Sequence, residues 1–427
     1  MTLRRILFVS LLVLLPFVLA AVAISGVLFA RQGGFAPYRV PHDGSRVVPA
    51  DAATIARGEY LARLGDCQAC HTPRGGVPFA GGRAFPTGLG TIYSSNITPA
   101  AGQGIGDWSA DEFAHVMRNG VSRRGALYPV FPYAHFAHVS DADLDAIYAY
   151  LRAQPASDFV PPPNRLQPPA DSRTALIGWR MLYYRPDETA PVDPADRGRY
   201  LVEGLGHCAM CHSARGDRGS LPPEGHFAGG TIPGIGWYAP PLDRVQLERY
   251  SEQQLADYLR DGTSEHGSAY GPMAEVTYAS LRALTPDDAL AIARHLKQLP
   301  PSPMRPRPTV ATEQGDAGGK GAEVYRHACA DCHGKDGEGK PGEYPPLRNA
   351  VAVTAPDPIN AVRMVLYGGM PVTTEGYPRP HSMPPFVQEL GSAEIAAVVN
   401  HIRSRFGGRD SRLGIEDVEA MHGLVID

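Results

Sequence analysis

The chain of 427 residues has few cysteines, six in all, and only three tryptophans. It has no surplus of charge. Lys and Arg number 40 against 44 Asp and Glu, a net charge of −4, which removes the electrostatic case for a nucleic-acid partner. The strand-and-turn cadence of an all-β fold is missing. So is the βαβ pattern that would surround a thioredoxin-like dithiol. What the chain has in quantity is glycine (47) and proline (41), which implies loop-rich domains with short helices rather than bundles or sheets. Its length suits about three domains.

The six cysteines fall into three pentapeptides, Cys67-Gln68-Ala69-Cys70-His71, Cys208-Ala209-Met210-Cys211-His212 and Cys329-Ala330-Asp331-Cys332-His333. C-x-x-C-H is the spacing of covalent c-type haem attachment. Two thiols three apart add to the two porphyrin vinyl groups, and the adjacent histidine supplies one axial nitrogen to the iron. Three such motifs that use every cysteine predict three covalently bound haems. A structural zinc wants four ligands, often from paired knuckles, and three separated units do not pair. Disulfides would leave the three histidines unexplained. A haem also supplies much of the apolar core of a small domain, and the motifs recur at roughly one per 120–140 residues, a domain's length.

Residues 6–30 carry no charge and are long enough to span a bilayer. Arg4 and Arg5 precede them and stay on the cytoplasmic side, so the remainder lies outside. Ala21-Val22-Ala23 offers a cleavage site for a signal peptide, but the apolar run continues past it to Ala30, which favours an uncleaved anchor. Either way the chain is exported. Residues 31–50 form a tether with Gly33, Gly34, Pro37 and Pro41.

An internal repeat surrounds the motifs. A helix over Ala52 to Leu64 containing Arg57-Gly58-Glu59-Tyr60-Leu61 leads into the first. Arg197-Gly198-Arg199-Tyr200-Leu201 precedes the second. Lys320-Gly321, with Tyr325 further on, precedes the third. The glycine reads as a close helix crossing. Each unit ends in a second helix: Asp141 to Ala153 behind Ser140, Pro286 to Gln298 behind Thr285, and Ala393 to Phe406 behind Ser392. Leu144, Ile147, Tyr148 and Leu151 mark a core face. Phe79-Ala80-Gly81-Gly82 recurs as Phe227-Ala228-Gly229-Gly230, and Pro240-Pro241-Leu242 as Pro345-Pro346-Leu347. A backbone carbonyl at the latter place can orient the ligating histidine. The Pro-rich stretches 155–170 and 300–308 read as semi-rigid spacers. The apolar segment Ala175 to Tyr184 reads as core, with packing between domains or against a partner as the alternative. Residues 408–427 read as a surface tail.

The iron's second axial ligand should sit late in each unit, and methionine is the usual one in electron carriers. Met383 lies nine residues before Ser392, and Met273 lies 61 after His212. Met370 is a rival in the third unit. In the first unit Phe131, nine residues before Ser140 and 60 after His71, stands at this place, and it cannot ligate iron. His135, in a loop expected to be flexible, is the leading substitute. Met117, His115, His138 and an open or water-bound iron are the alternatives.

Over residues 50–407 the chain resembles the three-haem cytochrome c subunit of membrane-bound bacterial dehydrogenases, which serves alcohol, gluconate, aldehyde and nicotinate- or isoquinoline-type oxidoreductases. The resemblance rests on the order of the three motifs, on Asn96-Ile97-Thr98-Pro99 and Gly104-Ile105-Gly106-Asp107-Trp108-Ser109, which look like the family's haem-edge loop, and on Gly271-Pro272-Met273-Ala274-Glu275-Val276 and Met383-Pro384-Pro385-Phe386. It implies a mainly α chain of three tandem class I cytochrome c domains behind the transmembrane helix. The expected divisions are anchor or signal 1–31, domains 50–155, 194–300 and 317–407, linkers 156–193 and 301–316, and tail 408–427. Phe131-Pro132-Tyr133 stands where quinoprotein alcohol dehydrogenase cytochromes carry Met-Pro-Tyr, and resembles the cytochromes that accompany molybdenum hydroxylases.

The function implied is electron transfer from a dehydrogenase subunit on the periplasmic side to ubiquinone or a terminal oxidase, with the chain held in the bacterial inner membrane and no substrate chemistry of its own. The competing class is a self-standing haem enzyme, of peroxidase or thiosulfate type, which would need the first iron open. Carbon monoxide binding by the reduced protein separates the two.

Overall fold

The computed structural model describes residues 3–34, 46–184, 192–304, 319–340 and 342–423, and it is mostly helical. An N-terminal helix, Leu3–Arg31, carries a stretch Val13–Arg31 of mean hydropathy 2.6 with none of it buried against the rest of the chain. By length and composition this helix can cross a membrane. Pro37 and Pro41 of the tether lie outside the described residues, as do 305–316 of the second linker.

One arrangement is built three times. Helix Ala52–Leu64 starts where Asp51 accepts a hydrogen bond from the Thr54 N–H, and leads into the short helix Cys67–His71. It packs on the closing helix Asp141–Arg152, capped by Ser140. In the second copy Arg197–Arg199 continues as a π-wound turn, Tyr200–Leu205, and packs on Pro286–Gln298, capped by Thr285. In the third, Lys320–Ala328 packs on Ser392–Gly407. Here the expected cap is displaced by one residue. Ser392 is the first helical residue, and Gly391 takes the capping position with its N–H bonded to the Glu394 carboxylate.

The three crossing glycines are a steric necessity. A Cβ on Gly58 would overlap the carbonyl oxygen of Ala146; on Gly198, that of Ala291; on Gly321, that of Ala397. Only a residue without a side chain lets the two backbones approach so closely. The Phe-Ala-Gly-Gly echo is also conformational. Phe79 and Phe227 are both left-handed, and Gly81 and Gly229 return their N–H groups to the carbonyls of His71 and His212. Each echo opens a hairpin, Ala84–Thr87 with Gly90–Tyr93 and Gly230–Ile232 with Trp237–Ala239.

The first two repeats share one continuous apolar cluster, and the third has its own. A reciprocal exchange explains the joining. Tyr60 of the first repeat donates to Asp288 of the second at 2.5 Å, and Tyr200 of the second donates to Asp143 of the first at 2.6 Å. Each aspartate also pairs with its own repeat's arginine, Arg57 with Asp143 and Arg197 with Asp288. Each tyrosine oxygen accepts the N–H of the partner helix's cap, Thr285 or Ser140. In the third repeat Lys320 pairs with Glu394, but Glu323 occupies the place of the tyrosine, so the device has no third copy. Tyr325 is not its counterpart; it donates to the carbonyl of Gly334.

The connecting segments are tied to the repeats, and the tail is not the loose surface segment expected. The start of the first Pro-rich stretch is not a free spacer. Asn96 donates to the carbonyls of Ser157 and Phe159, and Arg165–Leu166 adds a third strand to the first hairpin. The buried amide needs partners, and the linker backbone provides them. The apolar segment forms a helix, Arg173–Tyr183, that buries Leu176, Ile177 and Arg180 while Leu182 stays exposed. Arg180 reaches Gln32, just after the N-terminal helix. The tail is anchored: helix Ile415–Glu419 buries Val418 completely, and Tyr367 bonds the carbonyl of Met421.

Candidate haem sites

All six cysteine thiols are free, and among the described residues no group of three or more His, Cys, Asp or Glu side chains is arranged to hold a metal ion. Burial pushes the Cys67 and Cys208 thiols up to about 12 and Cys329 to about 11. Such groups are neutral thiols rather than reactive thiolates.

The three motif histidines are held alike. His71 Nδ1 lies 2.6 Å from the carbonyl oxygen of Ser95, His212 Nδ1 2.7 Å from that of Pro240, and His333 Nδ1 2.9 Å from that of Pro345. A carbonyl accepts only, so Nδ1 carries the proton and Nε2 keeps its lone pair. Burial lowers the pKa of each ring, which favours the neutral form a metal requires. The donor chemistry thus fits a haem iron on Nε2, with paired thiols one helical turn away for the vinyl groups. The carbonyls of Pro240 and Pro345 come from the Pro-Pro-Leu echo. The first repeat lacks that echo and uses Ser95; a backbone acceptor of this kind leaves no side-chain trace in the sequence.

The sixth-ligand candidates differ in setting. Met273 is in the first turn of helix Pro272–Ala279, behind Gly271 at φ 52. Met383 is fixed by a backbone bridge to Gly369 and packs against the third repeat's cluster. Met370 is 79 % exposed and unsuited to a buried site. Phe131 packs on the first cluster, its ring 5.5 Å from that of Phe136. His135 is not in a flexible loop. It sits in the short helix Tyr133–Phe136, only 8 % exposed, at the seam with the second repeat. Its Nδ1 is 3.0 Å from the carbonyl oxygen of Glu203, and its Nε2 is buried without a partner. Burial and the neighbouring His207 push it down to about 4, so it too is a neutral imidazole with one anchored nitrogen. Met117 is a buried core residue. His115 lies against Asn119, and His138 is half-buried.

One pair at the seam leaves no mark in the sequence. Asp66 and His207 each precede the first cysteine of a motif, both are left-handed, and they face each other at 3.8 Å. Positive φ at non-glycine residues gives no pattern in sequence.

A cytochrome c family model matches residues 319–405, and a model of cbb3-type cytochrome c oxidase subunit III matches residues 53–151. The cytochrome c subunit of gluconate 2-dehydrogenase from Pantoea cypripedii is 39 % identical over 405 residues, covering 87 % of this chain and 90 % of that one. The cytochrome c subunit of quinone alcohol dehydrogenase from Gluconobacter oxydans is 37 % identical, with 84 % and 80 % covered. The cytochrome subunit of fructose dehydrogenase from Gluconobacter japonicus is 32 % identical, with 86 % and 82 % covered. Such domains imply covalently bound haem c, and such relatives imply a catalytic subunit as partner. By its motifs, its helix pairs and these relatives, the chain belongs to the family of cytochrome c subunits of membrane-bound dehydrogenases.

Proposed function

We propose that this chain is a three-haem electron-transfer subunit, with one haem at each of Cys67/Cys70, Cys208/Cys211 and Cys329/Cys332, in three tandem class I cytochrome c domains over 50–155, 194–300 and 317–407. The observation that carries this reading is the threefold recurrence of a motif histidine with Nδ1 on a backbone carbonyl, each behind a glycine-crossed helix pair. Attached haem supplies a one-electron ferric/ferrous couple. The residues set its conditions. His71, His212 and His333 donate Nε2, and their carbonyl partners hold the rings and raise their basicity. Met273 and Met383 complete two of the sites with a soft thioether, and His135 completes the third. The partner is a periplasmic dehydrogenase of molybdenum-hydroxylase or quinoprotein type; Phe131 in place of a ligand favours the former. The acceptor is ubiquinone or a terminal oxidase, and the helix Leu3–Arg31 keeps the chain at the inner membrane with its haem domains outside.

Intact-mass measurement of the exported protein tests the count. The expected mass includes three haems that survive acid-acetone extraction; a mass with two, or extractable haem, defeats the proposal. A second test concerns the ligands. Thioether ligation raises the reduction potential, so Met383→His should lower the potential of one haem in a spectroelectrochemical titration and leave the others nearly unchanged. An unchanged titration would defeat the assignment of Met383.

A further inference from the structure

Between Thr174 and Tyr183 the chain holds a single charge, Arg180, and that charge is turned inward. Its guanidinium carbon lies 4.5 Å from the centre of the Tyr133 ring and 4.8 Å from that of Tyr184. It donates to the Gln32 side chain and to the carbonyl of Asn119. Leu176 and Ile177 are buried on the same side of the helix Arg173–Tyr183. The outer side is Thr174, Gly178 and Leu182, four residues apart, flanked by Trp179 and Tyr183. Leu182 is 63 % exposed and Tyr183 40 %, with the Tyr183 ring 5.5 Å from that of Trp179. Trp179 spends its one donor on the carbonyl of Arg218, which leaves the rest of the ring apolar. A helix that faces water carries charge on its outer side. The closing helix Asp141–Arg152 does so, exposing Asp141 and Arg152. The helix Arg173–Tyr183 has an outer side without charge from Thr174 onwards.

Its place in the fold says what covers that side. The N-terminal helix, exposed along its apolar stretch, ends at Arg31, and two residues later Gly33 is buried in the first repeat. A Cβ on Gly33 would meet the Val121 side chain and the backbone nitrogen of Ala126. The helix Arg173–Tyr183 lies against this exit at two points. Arg180 Nε is 3.0 Å from Gln32 Oε1. A Cβ on Gly125 would meet the Arg173 guanidinium at 2.9 Å and the Gly33 carbonyl oxygen at 3.1 Å, so the start of the helix and the exit border one turn. Leu182 and Tyr183 follow Arg180 by about 3–5 Å of helix axis. The headgroup layer on each side of a bilayer is about 5–8 Å deep, so these side chains lie within reach of it. Tyrosine and tryptophan are the residues that this layer favours, with an apolar body and a polar tip.

We propose that the outer side of the helix Arg173–Tyr183 rests in the lipid interface of the bilayer that the N-terminal helix crosses, with Leu182 and Tyr183 at the boundary between headgroups and acyl chains. This rests on the reading of Leu3–Arg31 as a retained anchor. It adds an orientation to that anchor. A single span leaves a domain free to swivel about it, whereas a second hold beside the exit fixes which side of the first repeat faces the lipid.

The test uses the full-length, haem-loaded protein in vesicles of phosphatidylethanolamine and phosphatidylglycerol. The vesicles contain a phospholipid with a diazirine either near the ester end of one acyl chain or at its methyl end. After irradiation and trypsin digestion, peptide Ile6–Arg31 reports the span and peptide Met181–Arg197 the helix. Ile6–Arg31 should be labelled by both probes. Met181–Arg197 should be labelled at Leu182 or Tyr183, by the ester-end probe and several-fold less by the methyl-end probe. Replacing both residues, Leu182→Glu with Tyr183→Glu, should cut that labelling several-fold and leave Ile6–Arg31 unchanged. A wild-type protein labelled in Ile6–Arg31 but not in Met181–Arg197 overturns the proposal without any variant. So does a double variant labelled as strongly as wild type. Labelling that disappears once a catalytic subunit is bound also overturns it, and makes this side a protein-docking surface. Intact mass keeps the two levels apart: loss of residues 1–23 defeats the anchor reading and the proposal with it, whereas an intact N-terminus with Met181–Arg197 unlabelled defeats the proposal alone.

Discussion

Replacing His135 with alanine should convert one low-spin haem to high spin, open that iron to carbon monoxide, and leave the other two electron paramagnetic resonance signals intact. The wild type should show one bis-histidine and two histidine-methionine signals. Phe131 stands where the spacing of the other repeats requires a ligand, and its ring is packed into the first core cluster. His135, four residues on, has what the position lacks: a neutral ring, Nδ1 anchored on the Glu203 carbonyl, and a buried Nε2 without a partner. The three motif histidines share the anchored Nδ1. Imidazole is a harder and more basic ligand than a thioether and favours the ferric state, so this haem should have the lowest potential of the three. A low-potential haem suits an electron donor as reducing as a molybdenum hydroxylase, with the other two downhill. If the wild type already contains a high-spin haem that binds carbon monoxide, His135 is not the ligand and the self-standing enzyme regains ground. If the variant keeps all three signals, Met117 is the next residue to test.

Gly198→Ala should destabilise the haem-loaded protein by about 3 kcal/mol, at the upper end of overpacking costs. The added methyl would overlap the carbonyl oxygen of Ala291 and crowd the His295 Cβ. Neither is the free end of a flexible side chain, so the helices themselves must separate. The separation acts in two places, because the same helix pair carries the Tyr200–Asp143 and Tyr60–Asp288 contacts that join the first two repeats. Gly178→Ala is the control. It lies in the helix Arg173–Tyr183 with nothing within 4 Å of an added Cβ, so it should match or slightly exceed wild-type stability. Thermal unfolding of the three proteins, followed at the haem absorbance, checks this. A Gly198→Ala protein as stable as the control would remove the steric account of the crossing.

The sequence by itself determined what is local and covalent. Attachment of a haem would need two thiols and a histidine within five residues, so Cys67 to His71, Cys208 to His212 and Cys329 to His333 could be read as candidate sites without a fold. Helix Ala52–Leu64 and helix Pro286–Gln298 were legible to the residue, the latter because its cap Thr285 is bonded three positions away. The crossing glycines were legible because a missing side chain repeated at one place in each unit has few other meanings. Tertiary structure decided everything that joins positions far apart in the chain. It decided that Ser95 takes in the first repeat the place of the prolines in the others, since a backbone carbonyl has no residue identity. It decided that Tyr60 and Tyr200 exchange partners across the seam, since their aspartates lie 228 and 57 residues away. It also turned the apolar segment Ala175 to Tyr184 from expected core into a helix with an exposed, uncharged outer side beside the N-terminal helix, because which side of a helix is buried follows from how it seats on its neighbours, and the segment alone does not contain its contact with Gln32.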